Sequence, residues 1–158
     1  MPNKKDLRPY KVYAIKDGTV IDHIPQGRGL QLLKLLKLVE SGKFVTLGSN
    51  FKSKKRGYKD IIKIEGKEIT PEEVNQVALL APDATINIIR DHEIAKKFTV
   101  ELPEEFADMA LCPNPKCITN MDPQNAKFVP ESEKKDMRLK CVYCEKLFKP
   151  EELNEYIN

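Results

Sequence analysis

Apolar and polar positions in the first hundred residues fall into short, readable periods. Tyr10 to Ile15 and Thr19 to Ile24 read as extended segments, with Asp17-Gly18 as the turn between them. In "GLQLLKLLKLVES", Leu32, Leu35, Leu36 and Val39 share a helical face opposite Gln31, Lys34 and Lys37, and Ser41-Gly42 ends the helix. "KFVTLGSNF" and "YKDIIKIEG" read as two further strands joined by the basic segment "KSKKRG". A second helix starts at Thr70. Thr70 can cap it, Pro71 suits its first turn, Glu73 completes a capping box, and Val74, Val77, Ala78 and Ala81 form the buried stripe. In "ATINIIRD", Ala84, Ile86 and Ile88 alternate with Thr85, Asn87 and Ile89 as in a half-buried strand.

The order is a hairpin, a helix, two strands, a helix and a strand. That is the split βαβ pattern of an α+β, ferredoxin-like antiparallel sheet with two helices on one face. "ELPEEF" reads as a linker, which divides the chain into a domain at 1–101 and a smaller one at 102–158. Charge supports the division. Residues 1–101 hold 19 Lys and Arg against 13 Asp and Glu, whereas residues 102–158 hold 8 against 11. An anionic ligand therefore belongs to the first part. The chain of 158 residues is 41% hydrophobic and 32% charged, the balance of a folded soluble protein rather than a disordered one. Its N-terminus has no apolar signal region, and no stretch approaches the ~18 apolar residues of a membrane span. The expectation is a cytoplasmic protein with no membrane partner.

All four cysteines lie in the second part, as Cys112 and Cys117 in a C-x4-C loop and Cys141 and Cys144 in a C-x2-C loop. Two loops that each deliver two thiolates can surround one tetrahedral Zn2+. Four thiolates leave no open position for water, so the expected zinc is structural and not catalytic. So small a unit buries little apolar surface, and a zinc site can supply about 10–16 kcal/mol of apparent folding free energy. The expected second domain is small, β-rich and zinc-ribbon-like.

Candidate chemistry in the first part centres on "GTVIDHIP", where Asp22 adjoins His23, one of only two histidines. Strand alternation would send the two side chains to opposite faces, making them poor partners for each other. No G-x-S-x-G, Walker A or G-x-G-x-x-G motif is present. Lys59, Lys63, Lys96 and Lys97 could gather with His23 around a phosphate-bearing small molecule or form a solvated basic surface. "KSKKRGY" begins like an RNA-recognition motif, leaving a zinc-ribbon nucleic-acid binder as the alternative. Its continuation "KDIIKI" lacks the stacking aromatics that such a motif uses, and the second part is acidic.

Five stretches together, "GTVIDHIP", "KDIIKIEG", "ALLAPDATIN", "LCPNPKCITN" and "LKCVYCEK", resemble the regulatory chains of aspartate carbamoyltransferase. They span nearly the whole chain in that family's order. The resemblance implies a non-catalytic subunit that controls pyrimidine biosynthesis by binding nucleotide effectors (CTP, ATP or UTP, with Mg2+ as a candidate companion). It implies that Val12, Ala14 and Ile15 line the base and ribose pocket and that Asn87, Ile89 and Ile94 complete its wall. Asp22 would accept ribose hydroxyls near Lys63, while His23, Lys97 and Lys59 would meet the phosphates. Cys112, Cys117, Cys141 and Cys144 would hold Zn2+, and Asn114, Glu145 and Lys146 would contact a catalytic chain. The implied assembly joins two catalytic trimers through three regulatory homodimers, which pair by the Leu30–Val39 helix or an adjacent strand edge. No nucleic acid is implied. Tyr13 and His92, beside the base pocket, depart from the family pattern.

Overall fold

The computed structural model describes residues 14–54, 57–121, 126–131 and 136–153. Val12, Tyr13 and most of the expected first strand lie outside the described residues. Two antiparallel sheets carry the fold. The first contains β1 (Gly18–Pro25), β2 (Val45–Ser53), β3 (Gly57–Glu65), β4 (Thr85–Arg90) and β5 (Glu93–Thr99), in the order β2-β3-β1-β4-β5. The second contains β6 (Phe106–Ala107), β7 (Lys127–Pro130), β8 (Leu139–Cys141) and β9 (Leu147–Phe148), in sequence order. The helices are α1 (Gly29–Leu35), α2 (Pro71–Leu80) and the short α3 (Ile118–Met121), and a 3-10 turn spans Pro150–Glu152. No helix among the described residues is long and apolar enough to cross a membrane.

The first sheet buries one face. Ile21 sits opposite Ile62 on one side and Ile86 on the other, and all three are fully buried. Each such side chain contributes about 1.5–3 kcal/mol by leaving water. Thr19, also on this face, is buried without cost to its hydroxyl, which donates to Lys67 O at 2.7 Å and accepts the Ile69 amide at 3.1 Å. Gly18 is required where β1 begins: its φ is +143°, and an added Cβ would lie 2.0 Å from Ile64 O.

Of the expected hairpin strand ahead of β1, only its last two residues are described. Ala14 and Ile15 are in no strand, and the 16–17 segment is tied elsewhere, with Lys16 O accepting the His92 amide at 2.9 Å and Asp17 O accepting that of Gly66 at 2.9 Å. The sheet gains β5, which follows β4 through Asp91 and His92, both at positive φ. Two successive positive φ values make the tight turn that matches strand twist, here without the glycine that normally signals it.

α1 is shorter than its apolar period suggests. Lys37 takes φ +54°, the Leu38 amide donates to Leu33 O at 3.0 Å, and the Lys37 amide donates to Lys34 O at 3.1 Å. This pair of reversed hydrogen bonds closes the helix and turns Leu38 into the core. Val39 is consequently 73% exposed rather than part of the buried face, and Leu33 and Leu38 join Leu32, Leu35 and Leu36 inside.

α2 starts as its sequence predicts. Thr70 Oγ1 accepts the Glu73 amide and Glu73 Oε1 accepts the Thr70 amide, each at 3.2 Å. Its end is buried more completely than one stripe allows, because Val77, Ala78, Leu79, Leu80 and Ala81 are all at 0% exposure. Five consecutive buried residues surround the helix, so a second layer must cover it. β6 and the 3-10 turn supply that layer. Phe106, the last residue of "ELPEEF", is not linker but the buried start of β6.

Candidate functional site

The stretch "GTVIDHIP" forms β1, and its regular alternation breaks at one point. Ile21 pairs with Ile62, but the next partner pair in register is Ile24 with Asp60. Asp22 and His23 therefore stand against a single residue of β3, and His23 adopts φ +60°. This is a β-bulge. Because Ile21 and Ile24 are both fully buried, the two residues between them share the face away from the helices. Alternation fails here, and the expectation that Asp22 and His23 point to opposite faces is corrected. The Asp22 carboxylate accepts the His23 amide at 2.6 Å and pairs with Lys59 Nζ at 2.9 Å, and His23 Nδ1 lies 3.9 Å from its other oxygen.

Register collects most of the other candidates on this face. Val20 sits opposite Lys63 in β3 and Asn87 in β4, and Asn87 sits opposite Lys97 in β5. Lys63, Val20, Asn87 and Lys97 thus form one row across four strands. In the next row Gly18 faces Ile89, which pairs with Ile94. Ile94 is 59% exposed, Ala14 is exposed and Ile15 is buried at the margin. Partial burial pulls the Lys63 ammonium below its ordinary value, and the Asp22 charge offsets part of that shift.

Two polar atoms on this face are buried without a hydrogen-bond partner among the described residues: His23 Nδ1 and Asn87 Oδ1. Buried polar atoms are normally paired, so both are exceptions on this face. His23 also lines a cavity of about 300 Å3, with Tyr58, Lys59, Asp83, Thr85 and Thr99 among others. Tyr58, Thr85 and Thr99 went unrecognised in the sequence. Thr85 faces Asp22 on one side and Thr99 on the other, a relationship only pairing reveals. On this face the rows at the middle of β1 and β3 carry Val20, Asp22, Ile61 and Lys63, and Tyr58 at the start of β3 is the aromatic beside the cavity.

The four cysteines converge. Their sulfurs all lie within 4.8 Å of one another, with Cys112 and Cys144 at 3.7 Å and Cys117 and Cys141 at 3.8 Å. A tetrahedron with metal–sulfur bonds of about 2.3 Å has edges of about 3.8 Å, so the donor set fits Zn2+. The surrounding chain stabilises negative sulfur. Thr119 Oγ1 donates to Cys117 Sγ at 3.1 Å, and the backbone amide of Asn114 donates to Cys112. Burial raises the Cys112 and Cys141 thiols. Burial works in the same direction on Cys144, but the Lys146 amide and the Asn114 side chain outweigh it and bring that thiol to about 7. Asn114 also braces the loop: its carbonyl accepts the Cys117 amide at 3.0 Å and Asn120 Nδ2 at 2.8 Å. Glu145, at φ +62°, and Lys146 are exposed on the other cysteine loop.

Two family models match the chain. The family model "Aspartate carbamoyltransferase regulatory chain, allosteric domain" matches residues 10–101, and that of the metal binding domain of the same chain matches residues 104–154. The chain belongs to the aspartate carbamoyltransferase regulatory chain family. The regulatory chain of Pyrococcus abyssi is 48% identical over 145 residues, covering 90% of this chain and 95% of its own length. That of Thermococcus onnurineus is 46% identical over 144 residues, with the same coverage. That of Tolumonas auensis is 43% identical over 155 residues, covering 98% and 99%. As a regulatory chain this protein is a non-catalytic subunit that partners catalytic chains, and its four-cysteine cluster lies in the matched metal-binding domain and suits a structural metal such as zinc.

Proposed function

We propose that this regulatory chain binds CTP, ATP or UTP on the outer face of its first sheet and conveys the bound state to the catalytic chains. The observation that carries this reading is the row Lys63–Asn87–Lys97 beside the Asp22–His23 bulge, with His23 Nδ1 and Asn87 Oδ1 unpartnered. A carboxylate beside two ammonium groups suits a ribose next to a phosphate chain. Asp22 and Lys63 then hold the sugar, His23, Lys59 and Lys97 the phosphates, and Ile15, Asn87, Ile89 and Ile94 the base, with Val12 and Ala14 completing the pocket. A Mg2+ ion would accompany the phosphates.

In the same reading the first domain spans residues 1–101. Its strand order, with β5 added at one edge, supports a ferredoxin-like designation. The second domain, residues 102–158, is a zinc-ribbon-like module that holds Zn2+ and docks on a catalytic chain. Leu111, Ile118, Met121, Val142, Tyr143 and Leu147 support the docking role, because these large apolar side chains are exposed on and beside the cysteine loops. Asn114, Glu145 and Lys146 accompany them as polar contacts. Exposed Leu30, Val39 and Phe44 support pairing of two regulatory chains near α1 and β2. The assembly is two catalytic trimers bridged by three regulatory dimers in the cytoplasm.

The test is titration calorimetry with CTP and ATP, followed by aspartate saturation of catalytic trimers with and without this chain. The expected result is saturable nucleotide binding and nucleotide-dependent saturation curves. Retention on nucleic acid in place of free-nucleotide binding would instead favour the nucleic-acid reading.

A further inference from the structure

Arg28 occupies a joint between the two sheets. Its amide donates to Pro25 O at 3.0 Å, closing the turn after β1, and its carbonyl accepts the Leu32 amide at 3.0 Å, opening α1. The amides on either side of it, Gly27 and Gly29, both donate to Asp60 Oδ2, at 3.1 and 3.0 Å. Asp60 adjoins Lys59, the partner of Asp22. The segment carrying Arg28 is thus suspended from the two strands that present the candidate ligand groups, five positions beyond His23.

The side chain reaches the other way. Nη1 donates to Leu80 O at 2.7 Å, in the last turn of α2, and Nη2 pairs with the Glu151 carboxylate in the 3-10 turn of the metal-binding domain. One guanidinium thereby ties the start of α1, the end of α2 and a segment beyond the cysteines. Around it lies a cavity of about 430 Å3 lined by Pro25, Arg28, Pro82, Met137, Arg138 and Glu151 among others. On this side the joint is spanned by a charged pair beside open space, at the margin of the apolar layer that the 3-10 turn lays over α2, so the pair itself can rearrange at little packing cost. Charge pairs of this sort are individually weak and therefore switchable.

We infer that Arg28 is a positioning residue, which through Glu151 carries a ligand-induced shift of the Asp22–His23 bulge to the metal-binding domain. The inference rests on the nucleotide reading above and adds to it a specific route. A ligand that draws Asp22, His23 or Lys59 toward its phosphates displaces β1 and β3 where they hold the 27–29 turn. Arg28 moves with that turn, and Glu151 follows the guanidinium.

The experiment uses the chain assembled with catalytic trimers, as wild type, Arg28→Gln, Glu151→Gln and the double variant. CTP affinity is read by calorimetry, the aspartate concentration at half-saturation with and without CTP, and amide hydrogen exchange of residues 147–153 with and without CTP. Both single variants are expected to assemble, to bind CTP within about twofold of wild type, and to lose about threefold or more of the CTP-induced shift. The double variant should be no worse than either single, since the pair acts as one unit. CTP should alter exchange in residues 147–153 of the wild type but not of Glu151→Gln, which keeps the test informative if Arg28→Gln folds poorly. An undiminished shift in the variants overturns the inference, as does a loss of CTP affinity that accounts for the lost shift. Failure of the wild type to bind CTP overturns the nucleotide reading, and the route falls with it.

Discussion

Lys59 Nζ stands 2.9 Å from Asp22 Oδ1 across the β1–β3 pair, and the same oxygen accepts the His23 amide at 2.6 Å. One half-buried carboxylate therefore fixes both a bulge in one strand and a cation on the next. Asp22→Asn keeps the shape and removes the charge that orients Lys59. The expected outcome is a roughly tenfold loss of CTP affinity, or about 1.4 kcal/mol, with assembly intact. Calorimetry that returned the wild-type affinity would remove Asp22 from the nucleotide site.

Asp60 predicts a stability effect. It is 1% exposed and accepts three backbone amides, those of Gly27, Gly29 and Asn50, at 3.0–3.2 Å. Asp60→Ala strands the Gly29 amide in a buried setting and the Gly27 and Asn50 amides in partly buried ones, and a buried unmade bond of this type costs about 1–3 kcal/mol. We expect a loss of about 3 kcal/mol or more in urea unfolding of the zinc-loaded chain. A loss below 1 kcal/mol would mean the turn at 26–29 relaxes to water without its acceptor.

Lys37 predicts a gain. A lysine at φ +54° carries the strain of the left-handed region, which glycine does not. Lys37→Gly should stabilise the chain by about 0.5–1 kcal/mol, measured as a shift of the unfolding midpoint. Destabilisation instead would show that the lysine stem contributes more by contact than its backbone costs.

Metal removal predicts a regional collapse. Four sulfurs within 4.8 Å of one another in a small sheet depend on a cation to hold them together. Chelation should abolish amide protection in β6 to β9 and binding to catalytic trimers. A metal-free chain that kept both would refute the structural role.

Glu151 predicts a dependence on acid. Burial tends to raise its carboxyl, but its own backbone amide and the nearby Arg28 outweigh this and hold it below the usual 4.5. A depressed folded value means that the pair stabilises fully above the unfolded value and fades as pH falls through the folded one. The difference in melting temperature between wild type and Glu151→Gln should be constant well above 4.5 and shrink as the pH falls below it. A difference independent of pH would exclude the carboxylate as its source.

What the sequence disclosed and what it concealed divide by range. The capping box at Thr70 and the alternation at Ala84–Ile88 are local, and both are legible in the chain. Cysteine spacing is equally local, because each loop must bring its own two ligands. The bulge at Asp22–His23 is not local: one extra residue in β1 has meaning only against the register of β3. β5 was hidden because Asp91-His92 makes its turn without glycine, and the early end of α1 because Lys37 takes a position that glycine usually marks. Asp60 looked like a polar member of a strand, and only the turn and bulge that converge on it explain its burial.

The end of α2 has a consequence for the life of the chain in the cell. Five consecutive apolar residues there are covered by β6 and the 3-10 turn, segments that follow them in synthesis. If metal removal unfolds β6 to β9 as predicted, the end of α2 would stand uncovered until metal is loaded, the kind of surface that chaperones hold and proteases inspect. Metal supply would then set how much of the regulatory chain survives to meet its catalytic partner, and the ion would govern the abundance of a domain it never touches.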